Sequence, residues 1–137
     1  MVLKESHPLF CIFGIGQFLT FYLKGKGGGT GKRLFPFVEF LSGPSLFFFE
    51  GIINRARPQQ INRKLDVLAS KTASTPSYPS GHAFQAYYLA QVLSSRYPEK
   101  AEMFSKIAED CALARVYAGL HYPSDNEFSK TLVETFF

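Results

Sequence analysis

A chain of 137 residues with 46% hydrophobic content and 15 phenylalanines has the apolar surface to bury one core. Its net charge of +4 suits an anionic substrate or an anionic membrane surface, and lacks the dense basic face of a nucleic-acid binder. Cys11 and Cys111 stand far apart without metal-like spacing and read as reduced thiols rather than a disulfide framework.

The chain opens with an apolar run at residues 8–23, PLFCIFGIGQFLTFYL, sixteen residues long and short of a comfortable bilayer span. It has no small-residue cleavage site and reads as a buried core helix. The glycine-rich residues 25–33 form a cationic interhelical loop; Lys26 and Arg33 stand where a nucleotide-binding loop needs glycine and a hydroxyl residue. A second apolar stretch, 34–53, is broken by Pro36, Glu39, Gly43, Pro44 and Glu50. If residues 45–57 form a helix, Glu50 and Arg57 share a face. Residues 58–78 form a long connection, with one short helix around 61–69, and connections of that length are often functional.

Helical periodicity returns at 81–97, with Phe84, Tyr88 and Val92 on the apolar side and Gln91 interrupting it. Ser80 is its predicted N-cap. A further helix, 98–119, begins at Pro-Glu and ends near Gly119, with Arg115 in its last turn. His121 follows in the connection. Ser124 and Glu127 fit a capping box for the last helix, with Asp125 in the first turn. These last two helices carry Glu99, Lys100, Glu102, Lys106, Glu109, Asp110, Glu127 and Lys130, too many charges for lipid-facing spans. There is no strand-like alternation and no repeat. The predicted fold is all-α: one compact domain over 1–137, a bundle of about five helices, with the chemistry-bearing residues between 50 and 125 and the Phe-rich apolar helices within 1–53.

Two clusters carry chemistry. In Pro79-Ser80-Gly81-His82, the amides of Ser80, Gly81 and His82 at a helix N-terminus favour an anion, Gly81 permits close approach, and His82 lies beside whatever binds. Pro-Ser-Gly is equally ordinary turn chemistry, and His82 could be a surface residue. In the second cluster, Asp125 can point back at His121, fix its tautomer and leave the other ring nitrogen free to attack. The bland alternative is a capping aspartate and a loop histidine without a partner.

Together these residues resemble the type 2 phosphatidic acid phosphatase superfamily, which includes bacterial acid phosphatases and vanadium haloperoxidases. Its pattern is Lys-x6-Arg-Pro, then Pro-Ser-Gly-His, then Ser-Arg-x5-His-x3-Asp. Here the second part is intact at 79–82, the third reads Ala114-Arg115, His121, Asp125, and the first is present as Arg57-Pro58 with Glu50 at the lysine position. The resemblance spans 45–136 and implies an acid phosphatase-like helical bundle. It implies His121 as the nucleophile that forms a phosphohistidine, Asp125 as its orienting partner, and His82 as general acid and then base. Arg57, Arg115, Ser80 and Gly81 would bind the phosphate, with no metal and no other cofactor.

Glu50 departs from that pattern. An ionised glutamate about 5 Å from a phosphate oxygen costs roughly 3 kcal/mol at an effective dielectric near 20. It could pair with Arg55 or Arg57; Lys64 or Lys71 could supply the missing charge; or the site has changed use. The expected function is a metal-independent phosphatase acting on a small-molecule or lipid phosphate monoester. The alternatives are a vanadate-dependent haloperoxidase, vanadate being a cofactor only in that case, and a non-catalytic phosphate-binding or membrane-associated module. The expected location is cytoplasmic or peripheral to a membrane, with no nucleic-acid partner. The apolar N-terminal third could contact a membrane surface or a second copy of the chain.

Overall fold

The computed structural model describes Leu46 and residues 48–137, without the side chains of Lys71 and Thr72. The apolar run 8–23, the glycine-rich loop and most of the 34–53 stretch lie outside the described residues. Among those described, every regular element is helical. Residues 48–53 are helical; α1 is Pro58–Ile61, α2 is Gly81–Arg96, α3 is Ala101–Tyr117 and α4 is Pro123–Phe136.

The helix bearing Glu50 does not run on to Arg57. It ends at residue 53; Asn54 takes a left-handed φ of 44°, its N–H donates to the Glu50 carbonyl, and Arg57 is extended ahead of Pro58. Asparagine tolerates that conformation better than most residues. The short helix expected around 61–69 is also displaced. Pro58, preset for a first helical position, starts α1 instead, and the Arg57 N–H donates to Gln60 Oε1 at 2.7 Å. A 3₁₀ turn, Lys71–Ser74, precedes Pro79.

Among the described residues, the core is a packing of α2, α3 and α4. α2 lies mainly against α3 and next against α4. Phe84, Leu89 and Leu93 of α2 meet Phe104 and Ala108 of α3 and Val133 of α4 in one buried cluster, with Leu46 joining it. Phe84 and Tyr88, four residues apart and so on one face, share Phe137 as an edge-on partner. The opposite faces of α3 and α4 carry the charges: Lys106 pairs with Asp110 at 2.7 Å, and Lys130 reaches Glu109 at 3.6 Å. No helix among the described residues is long and apolar enough to cross a membrane.

Cys111 is buried and disulfide-bonded, which corrects the reading of both cysteines as reduced thiols. Cys11 is the only other cysteine, so the partner lies outside the described residues. Separation along the chain is no measure of distance once the helices pack.

Candidate active site

The end of α3 builds the first half of the site. Gly119 takes a φ of 72° just past the helix, its N–H donates to the Val116 carbonyl at 2.9 Å, and the Leu120 N–H donates to Arg115 at 3.1 Å. This is the paired bonding of a Schellman turn, which needs a residue tolerant of the left-handed region. The turn folds the chain back, so that the His121 N–H also donates to the Arg115 carbonyl, at 3.3 Å. The five-residue spacing from Arg115 to His121 is therefore a helix end and one reversal.

The His121 ring is buried and fixed. Its Nδ1 lies 2.8 Å from the Ser77 carbonyl and 3.3 Å from Asp125 Oδ2. A carbonyl only accepts, so Nδ1 carries the proton and the neutral ring presents the Nε2 lone pair. Burial holds the His121 pKa below its ordinary value; the bond to Asp125 opposes this, and the charges of Arg57 and Arg115 add to the lowering. Asp125, also fully buried, takes the Tyr122 N–H on Oδ2 at 2.9 Å and Arg55 Nη1 on Oδ1 at 2.8 Å. The expected capping box is therefore shifted. Pro123 opens α4 after Tyr122, and the acid in its third position is Asp125, not Glu127.

The N-terminus of α2 faces this pair. The Ser80 N–H donates to the Asp125 carbonyl at 3.2 Å, so it is not open to a ligand as the sequence led us to expect. The Ser80 hydroxyl accepts from the Ala83 N–H at 3.4 Å, as an N-cap should. The first-turn amides that remain are those of Gly81 and His82. A Cβ added at Gly81 would meet only Leu46 Cδ1, at the ordinary distance of 3.4 Å, so packing alone does not require glycine there. The His82 pKa is pushed down to about 3 by burial first, then by the positive fields of Arg115, His121 and Arg57.

The two arginines differ. Arg57 is heavily bonded: Nε donates to the Thr75 carbonyl at 2.7 Å, Nη1 to the Leu120 carbonyl at 2.9 Å, and Nη2 to Pro76 at 3.2 Å. Its Nη1 also lies 3.3 Å from His121 Nε2. Arg115 is 1% exposed, yet among the described residues none of its three guanidinium nitrogens has a hydrogen-bond partner. Burial, then the charge of Arg57, pushes its pKa down to about 10. Glu50 stands beside Arg57. Its carboxylate accepts from the Thr75 side chain, and burial raises its pKa against the field of Arg57. Lys64 is exposed and is not among the charges acting on Glu50, His82, Arg115 or His121. The Lys71 side chain lies outside the described residues.

The structure thus gathers His82, His121, Asp125, Arg57, Ser80, Gly81 and Arg115 at one place. Two further participants were not singled out from the sequence, the Ser77 carbonyl and Thr75, and a third, Arg55, was weighed as a partner of Glu50 but pairs with Asp125. Arg55 donates to Asp125 and Ser124, and its guanidinium lies 4.1 Å from the Tyr122 ring centre. Its place two residues before Arg57, on an extended segment, was the available signal. A backbone carbonyl such as that of Ser77 leaves none. Among the described residues no group of three or more His, Cys, Asp or Glu side chains is arranged to hold a metal ion.

The chain is similar in fold to a solved transmembrane PAP2 type phosphatidylglycerolphosphate phosphatase from Bacillus subtilis, with a TM-score of 0.55 and 24% identity. That match covers 95% of this chain but 65% of the other, so the chain spans less than two thirds of that protein's length. No curated protein matches it. The family model for the PAP2 superfamily matches residues 36–132, over which the arginines, histidines and aspartate of the site fall in the family's order, and the chain belongs to the PAP2 superfamily.

Proposed function

We propose that the protein is a phosphatase that transfers a phosphoryl group from a phosphate monoester to His121 and then to water. The observation that carries this reading is Arg115. A buried guanidinium with no partner on any nitrogen among the described residues is a charge that something anionic must complete, at a cost of several kcal/mol if left alone. The group it lacks is planar-fork compatible, anionic and small, as a phosphate is. Arg57, Arg115 and the Gly81 and His82 amides would surround its oxygens.

In the first step the Nε2 lone pair of His121 forms a bond to phosphorus as the bond to the leaving oxygen breaks. His82 gives that oxygen its proton. In the second step water attacks phosphorus, passes its proton to His82, and the bond to His121 breaks to release inorganic phosphate. Asp125 and the Ser77 carbonyl hold Nδ1–H throughout, so positive charge on the imidazole is stabilised where it develops. Arg57 Nη1, 3.3 Å from Nε2, is close enough to follow the phosphoryl group during transfer.

A lipid phosphate is the substrate class we favour, in keeping with the family and with a membrane-associated location. Phe48, Ile52 and Ile53 are exposed on the helix that carries Glu50, where an acyl chain or a bilayer surface could meet them. The charged faces of α3 and α4 would stay in water. Fractionation with a carbonate wash tests the location: we expect release from membranes, and retention in the washed pellet would mean integral insertion.

The chemistry is tested by rapid acid quench with a 32P-labelled monoester. Label should appear on His121, and His121→Ala should lose turnover while keeping its fold and its affinity for vanadate. Label on another residue, or an active His121→Ala protein, would overturn the reading. His82→Ala should retain most activity on substrates whose leaving groups need least protonation.

A further inference from the structure

Among the described residues, Asp125 reaches Arg57 through the His121 ring, and Glu50 reaches it through the Thr75 hydroxyl. Arg57 Nη2 donates to Thr75 Oγ1 at 3.4 Å, and the Thr75 hydroxyl donates to the Glu50 carboxylate. Glu50 is thereby held at the arginine end of the pocket, half-buried, on a helix that stops at residue 53. Among the described residues, the charges around the bound group are two guanidiniums, Arg57 and Arg115, and one carboxylate, where a lysine at position 50 would make three positive charges. Asp125 does not alter the sum, because Arg55 neutralises it at 2.8 Å. His82 and His121 are neutral at ordinary pH in the empty site.

A carboxylate beside the arginines disfavours the second charge of a dianion and suits a singly charged anion. The remaining acceptor, the Glu50 carboxylate, also needs a donor from the ligand, since it repels a bare oxygen but bonds a P–O–H group strongly. We propose that Glu50 makes this a site for the singly charged, protonated phosphate group, whose P–O–H donates to the Glu50 carboxylate while Arg57 and Arg115 hold the other oxygens. The inference rests on the phosphate-site reading above. It deepens it by naming the charge state taken: the monoanion of a monoester, favoured below its second ionisation near about pH 6.

Sulfate separates this proposal from a general anion site, because it has the same shape, two charges and no proton to give. The experiment is titration calorimetry of the wild-type protein, Glu50→Gln and Glu50→Lys with inorganic phosphate and with sulfate at about pH 5.5. Wild-type protein should bind phosphate at least about tenfold more tightly than sulfate, like charges in contact being costly. Glutamine accepts or donates, so Glu50→Gln should narrow the ratio to about threefold or less, and Glu50→Lys should bind sulfate best of the three. A wild-type titration against pH is a second measurement that needs no variant. Phosphate affinity should fall as the ion loses its proton, while sulfate affinity should not.

Equal binding of the two ions by the wild-type protein would overturn the role of Glu50 and leave the phosphate site standing. Binding of neither ion to any of the three proteins would overturn the site itself, and the inference with it.

Discussion

Nδ1 of His121 lies 3.3 Å from Oδ2 of Asp125, and that same oxygen accepts the Tyr122 N–H that opens α4. One carboxylate oxygen therefore orients the imidazole and caps a helix, while the other holds Arg55. With His121 as the proposed nucleophile, Asp125 couples stability to chemistry. Asp125→Asn should destabilise the fold by about 1–3 kcal/mol, from the lost ion pair with a partly exposed arginine and the weakened helix start. It should lower kcat by roughly 10²–10⁴-fold, since the proton on Nδ1 is no longer held by charge. Thermal melts and steady-state kinetics on the same preparation give both numbers. A destabilised variant with unchanged kcat would leave Asp125 a capping residue only.

His82 gives a pH dependence. Its pKa in the empty site, about 3, lies below the ordinary 6.5. Unfolded chains therefore take up a proton that the folded protein refuses as pH falls below 6.5. Stability from this group is complete above that pH and declines with acidification, by up to about 1.4 kcal/mol per pH unit for one proton. His121 is shifted the same way and adds to the decline. A bound anion offsets Arg115 and Arg57 and raises the His82 pKa. Vanadate or phosphate binding near pH 5 should then take up a proton, read as a dependence of binding enthalpy on the ionisation enthalpy of the buffer. His82→Ala should remove that uptake. Proton release would contradict the assignment of His82 as the acid.

Two glycines should respond in opposite ways. Gly119 sits at a φ of 72° with Val67 Cγ2 only 3.1 Å from where a Cβ would stand. Gly119→Ala should cost about 1–2 kcal/mol and misplace His121, lowering turnover as well. Gly81→Ala meets only Leu46, so its melting temperature should stay near wild type while its affinity for phosphate falls, because the methyl group intrudes on the ligand's approach. If Gly81→Ala binds phosphate normally, the α2 N-terminus is not in contact with the anion.

Glu50→Lys restores the family's lysine. Affinity for the dianion of phosphate, at about pH 8, should rise by about 1–3 kcal/mol, the range for a charge-assisted bond, and turnover of a dianionic monoester should rise with it. Calorimetric titration of both proteins reads the first, and kcat/KM the second. An unchanged affinity would mean that the carboxylate beside Thr75 does not face the bound group.

Local rules carried much of this protein. The Ser80 cap, the basic last turn of α3 and the reversal at Gly119 follow from helix-end chemistry over a few residues, and so the Arg115, His121 and Asp125 cluster was legible in the sequence. The start of α4 was misplaced by a residue or two because Ser124 and Pro123 both signal a helix start, and the proline, already preset in φ, took the first position.

What spacing alone does not encode, tertiary packing decided. Arg57 reaches Leu120 and His121 from 63 and 64 residues away in sequence. Arg55 finds Asp125, the Ser77 carbonyl fixes the His121 tautomer, and Thr75 links Glu50 to Arg57 although those two residues share no helix. Such contacts depend on where α2, α3 and α4 set the loops between them, and backbone carbonyls carry no side-chain signal. The sequence by itself determined which groups could do the chemistry; only the packed structure determined that Arg115 is buried with no partner among the described residues while Asp125 is neutralised, because burial and pairing belong to the assembled core rather than to any segment of it.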